Sequence, residues 1–82
     1  MNQRIGVVGI IVKDREKAAS DVNDLLSLYG NIIVGRMGIP YEKKGFNVIA
    51  LIVDGTTDEI GALTGKLGMI EKVEVKSALT TS

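Results

Sequence analysis

The chain has 82 residues, ten Lys plus Arg balanced by ten Asp plus Glu, and neither cysteine nor histidine. A length of this order supports one domain, here residues 1–82, and no disulfide can reinforce it. The missing Cys and His exclude thiol redox chemistry, zinc sites and Cys–His nucleophiles, and zero net charge supplies no overall positive field for nucleic acid or an anionic membrane.

Arg4-Ile5-Gly6-Val7-Val8-Gly9-Ile10-Ile11-Val12 is a β-branched, apolar run that reads as a strand, and Asp14 beyond it is placed to cap a helix. Ala18, Val22, Leu25 and Tyr29 then follow helical spacing, with Ala19 and Leu26 beside them and Gly30 as the expected stop. A second strand is expected from Asn31 to Ile39, ended by the single proline, Pro40, and followed by the polar turn Tyr41-Glu42-Lys43-Lys44-Gly45. The third strand runs from Phe46 to Val53. Thr56 and Glu59 have capping-box spacing ahead of Ile60, Leu63, Leu67 and Ile70, with Gly68 as the stop. A last strand, about Lys72 to Leu79, alternates apolar and charged residues, and Thr80-Thr81-Ser82 is expected to fray.

Strand, helix, strand, strand, helix, strand, joined by right-handed crossovers, predicts an α+β ferredoxin-like βαββαβ sandwich with a four-stranded antiparallel sheet and two helices on one face. The first and third strands should be central, because both are apolar on both sides: Ile5, Val7 and Ile11 against Val8, Ile10 and Val12, and Val48, Ala50 and Ile52 against Ile49, Leu51 and Val53. Two helices cover only one sheet face, and the other normally turns polar where it meets water. Here it does not, which accounts for 45% hydrophobic residues and a mean hydropathy of +0.23 without an apolar run long enough to span a bilayer. The open face is therefore expected to be buried against further copies of the chain, as a homodimer or homotetramer.

Gly6 and Gly9 lie within the first strand and not in a strand-to-helix turn, so they do not form a dinucleotide fingerprint and instead point to close backbone approach. Gly61, Gly65 and Gly68 share one helical face, which suggests tight packing on Ala18 and Ala19 or on another subunit. The turn Lys13-Asp14-Arg15-Glu16-Lys17 puts basic side chains and backbone N–H groups at a helix start, where a small anion could bind, although a solvated turn would use the same residues. In Gly35-Arg36-Met37-Gly38-Ile39-Pro40-Tyr41, Arg36 is either an edge residue paired with a neighbour's carboxylate or the anion anchor of a pocket at a subunit boundary, with Tyr41 as its wall. Aromatic residues are too few for an RNA-binding platform, and no constellation of acids, bases or nucleophiles points to catalysis.

The first-strand run, the Gly35–Tyr41 run and the stretch from Val48 through Asp54 to Gly61 together resemble the iron-only hydrogenase system regulators, small single-domain proteins of ACT-like ferredoxin fold. The chain is more distantly similar to ACT domains and to the effector domain of nickel-responsive repressors. The ACT resemblance implies effector binding at subunit interfaces through the first strand-to-helix turn, here Asp14 to Lys17. The effector-domain resemblance implies tetramers built by packing sheets, while its His and Cys metal ligands have no counterpart here.

The resulting expectation is a cytoplasmic, non-enzymatic regulatory domain with no signal or membrane segment, assembled with itself and binding a small effector or a partner protein at subunit boundaries. The ligand residues expected are Asp14, Arg15, Lys17, Arg36, Met37 and Tyr41. No metal, catalytic residue or direct nucleic-acid contact is expected, no particular cofactor is specified, and any transcriptional role would need a partner that reads DNA. The alternative is an adaptor that presents a protein-binding surface without a small molecule.

Overall fold

A computed structural model describes residues 3–80. The elements are β1 (Gln3–Val12), α1 (Lys17–Leu28), β2 (Ile33–Tyr41), β3 (Phe46–Thr56), α2 (Thr57–Gly68) and β4 (Val73–Leu79), with a short 3-10 turn at Gly30–Ile32. The four strands form one antiparallel sheet in the order β2-β3-β1-β4, so β1 and β3 are central as their two-sided apolar pattern requires.

One sheet face carries both helices. Val8, Ile10 and Val12 of β1 and Ile49, Leu51 and Val53 of β3 pack there against Ala18, Val22 and Leu26 of α1 and Ile60, Leu63 and Leu67 of α2. The helical spacings read from the sequence thus mark the buried stripes, with Leu25, Tyr29 and Ile70 at their margins. The capping box forms in full: the Glu59 N–H donates to Thr56 Oγ1 at 3.0 Å, and the Thr56 N–H donates to Glu59 Oε1 at 2.8 Å.

Several boundaries differ from the sequence reading, each for a local reason. Asp14 does not cap α1. Its Oδ1 accepts from the Glu16 N–H at 3.0 Å, closing a turn that delays the helix to Lys17, so Glu16 occupies the cap without a side-chain hydrogen bond. Gly30 is not a helix stop but opens the 3-10 turn, and α1 ends at Leu28 with Tyr29 at its C-cap. Pro40 does not end β2, because an edge strand leaves one side of its backbone unpaired and tolerates a missing N–H. Gly68 is the last residue of α2. Thr80 does not fray: its N–H donates to the Ile5 carbonyl at 3.0 Å and its carbonyl accepts from Arg4 Nη1 at 3.2 Å. Thr81 and Ser82 lie outside the described residues.

Glycine is required at two of these positions. A Cβ on Gly6 would lie 2.8 Å from the Ala78 carbonyl oxygen, so β1 and β4 approach as closely as the bare backbone allows. Gly45 closes the β2–β3 turn at φ +70°, in the left-handed region. In contrast, Cβ atoms on Gly61 and Gly65 would meet nothing within 4 Å, so packing against α1 does not explain this glycine face.

β2 is irregular at Val34. Ile33 pairs with Val53, but Gly35 pairs with Ile52, so one residue bulges out between them. Because strand side chains alternate, that insertion exchanges the faces of every residue after it. Arg36, opposite Leu51, comes to the helix side, and Met37, opposite Ala50, comes to the open side.

Candidate functional site

The open sheet face is the largest feature not accounted for by the core. Ile5, Val7, Met37, Ile39 and Ile52 are each 50–62% exposed, with Tyr41 at 42%, and they cover β1, β3 and β2. At their centre Gly35, Met37, Ala50 and Ile52 with Val7 border a shallow apolar hollow of about 360 Å³. The β4 side of the same face is charged. Lys13 Nζ donates to Glu74 Oε2 at 2.6 Å, and this contact holds the Glu74 carboxyl below its usual value.

A second cleft, of about 320 Å³, lies between the turn after β1 and the turn before β4. Asp14, Lys17 and Asp21 face Met69, Glu71 and Lys72 across it. Lys17 Nζ is 3.3 Å from Asp21 Oδ2, and the Lys13 N–H donates to the Lys72 carbonyl at 2.8 Å, tying the turns together. Lys72 has φ +71°, a left-handed conformation uncommon outside glycine, so this turn is held by its surroundings. Sequence reasoning missed this wall, because Met69 to Lys72 carries only an ordinary helix-end pattern.

The third cleft, of about 270 Å³, opens where α1 crosses the edge of β2 and β3. Arg36 Nη2 donates to Asn23 Oδ1 at 3.1 Å, and Asn47, Pro40, Gly38 and Ile49 complete most of the wall. Arg15 is turned toward this end of the sheet, where its Nη2 donates to the Phe46 carbonyl at 3.4 Å. Among the described residues neither arginine has a carboxylate partner; the ion pairs found are Lys13–Glu74 and Lys17–Asp21. Asn23 and Asn47 were invisible as candidates, since single asparagines carry no spacing signal.

The six expected ligand residues therefore do not converge. Asp14 and Lys17 share one cleft, Arg15 points to the start of β3, and Arg36 joins Asn23 beneath α1. Met37 and Tyr41 belong by register to the opposite sheet face from Arg36, so Tyr41 does not wall an Arg36 pocket within one subunit. Among the described residues no group of acidic side chains could hold a metal ion, and no helix is long and apolar enough to cross a membrane.

This topology, a four-stranded antiparallel sheet with both helices on one face, is the ACT-like fold. The ACT domain of GTP pyrophosphokinase from Chlorobium tepidum has the same fold, with a TM-score of 0.74 over 90% of this chain and 96% of that one at 18% identity. The chain belongs to the TM1266-like family of iron-only hydrogenase system regulators, whose model matches residues 4–77. The resemblance carried by the first strand and the Gly35–Tyr41 run thus holds. The structure of the uncharacterized protein TM1266 from Thermotoga maritima matches with a TM-score of 0.92 and 40% identity over 95% of this chain and 98% of that one. The chain is also 33% identical, along its whole length, to an uncharacterized transcriptional regulator, MJ0080, of Methanocaldococcus jannaschii, and spans 61% of that protein.

Proposed function

We propose that this protein is a non-enzymatic regulatory domain of the iron-only hydrogenase system that assembles through its open sheet face and responds to a small effector at subunit boundaries. The observation that carries the reading is the apolar open face. Completing the burial of its half-exposed Ile, Val and Met side chains would contribute roughly 1 kcal/mol each, a large share of what so small a domain holds in reserve. Two sheets packed about 10 Å apart would achieve that burial, in a homodimer or, with a second such contact, a homotetramer. In this reading the effector is held where subunits adjoin, by residues drawn from Asp14, Arg15 and Lys17 of the first turn and from Arg36, Met37 and Tyr41 of the edge strand β2, different subunits supplying the groups that one chain keeps apart. An effector bound there would act by favouring one assembly over another, as differential affinity requires. Similarity to a transcriptional regulator supports a regulatory output.

A native mass spectrum of the protein purified without added ligand tests this. A multiple of the chain mass carrying a discrete adduct is expected. An oligomer free of adduct, with no ligand-dependent thermal stabilisation across a metabolite panel, would favour an adaptor that binds protein alone. A stable monomer would overturn the assembly.

A further inference from the structure

The cleft beneath α1 has a composition that selects its ligand. Among the described residues Arg36 is its one charged lining residue, the polar remainder is the two carboxamides of Asn23 and Asn47, and Pro40, Ile39 and Ile49 are apolar. Arg36 reaches the cleft only because of the bulge at Val34, and among the described residues its side chain bonds there to a neutral amide oxygen alone. A guanidinium so placed keeps most of its five donors for a planar anion, which it can grip with two parallel hydrogen bonds. Gly38 leaves the space over Ile49 open: a Cβ there would rest in ordinary contact with Ile49 Cγ1, at 3.9 Å, and a larger side chain would extend into the cleft. The volume lies just under the range of about 300–1,000 Å³ typical of drug-sized ligands, which suits a metabolite of a few heavy atoms.

Deepening the effector reading on which it rests, we propose that this cleft binds a small aliphatic carboxylate that lacks an ammonium group, such as a 2-oxo acid, in preference to the corresponding amino acid. The carboxylate meets Arg36, the aliphatic chain lies on Ile49 and Pro40, and the 2-oxo oxygen accepts from a carboxamide N–H of Asn47 or Asn23. Among the described residues no acidic side chain lines the cleft to pair with an ammonium, and the Arg36 guanidinium that holds the carboxylate repels a second positive charge placed beside it.

Titration of the full chain with 2-oxoisovalerate and with valine, followed by two-dimensional NMR of the side-chain amides of Asn23 and Asn47 and of Arg36 Nε, separates these cases. Saturable shifts at those groups with 2-oxoisovalerate are expected, with valine about tenfold weaker or worse. Arg36→Gln should weaken the oxo acid by about tenfold or more, Gly38→Val should abolish binding by filling the cleft, and Lys66→Gln, on α2, should change nothing. Absent shifts, equal binding of valine, or binding that survives both cleft variants would overturn the proposal. Native masses of the same samples keep the two readings apart. An intact oligomer that ignores the oxo acid defeats this inference alone, and a monomer that binds it in the cleft defeats the assembly alone.

Discussion

Leu51 and Ile52 are neighbours on β3, nearly equal in size and hydrophobicity, yet one is fully buried and the other is 50% exposed. The difference is the pleat: Leu51 points at α1 and α2, and Ile52 points away from both helices. Val8 and Val7 repeat the contrast on β1, at 0% and 54%. What separates the two faces is thus what lies over them and not the kind of residue they carry. A sheet whose central strands are apolar on both sides but covered on only one resembles half of a two-sheet core, a reading that substitutions on either face can test.

The largest effect should come from the covered face. Leu51→Ala should cost about 2–5 kcal/mol in urea unfolding, since the helices cannot collapse fully into the space left; a loss below about 1 kcal/mol would mean the core is looser than its burial indicates. On the open face Val7→Lys should leave the secondary structure intact by circular dichroism and convert the assembly to monomer, because a charge would be buried without a partner at the centre of the contact. If the variant keeps the mass of the parent oligomer, the contact lies elsewhere.

A smaller effect, of opposite sign, is expected on α2. Gly65→Ala adds a Cβ into open space within the chain and should stabilise it by up to about 1 kcal/mol through helix propensity. Destabilisation or a change in mass would show that the Gly61–Gly65 face packs on another subunit. The smallest effect belongs to Glu74, on the charged β4 side of the open face. Lys13 lowers the folded-state pKa of its carboxyl, so the unfolded chain takes up the proton first as pH falls. The pair's contribution is therefore present above the ordinary glutamate value of about 4.3 and is lost as pH falls through the lowered one. Glu74→Gln should flatten that part of the melting-temperature profile, and raised salt should weaken the parent's advantage, because both partners are open to solvent.

Much of this was legible because it depends on residues close in sequence. Thr56 and Glu59 form the capping box their spacing announces, and Ile60, Leu63 and Leu67 form the buried stripe of α2. The two-sided alternation of β1 and β3 correctly assigned them the sheet centre. The candidate site was far less legible. Asp14, Arg15 and Lys17 adjoin in sequence but serve different contacts, and Asn23 and Asn47 gain meaning only from standing beside Arg36.

By itself the sequence determined the order of the elements, the buried stripe of each helix and the excess of apolar strand surface, since periodicity and capping are properties of short stretches of chain. Which way Arg36 faces was decided by tertiary structure alone. Regular alternation from Ile33 would have set it opposite Ala50 on the open face. The extra residue at Val34 sets it opposite Leu51, under α1 and beside Asn23. A bulge is a property of two strands paired in a particular register, and that register is set by contacts between residues far apart in the chain.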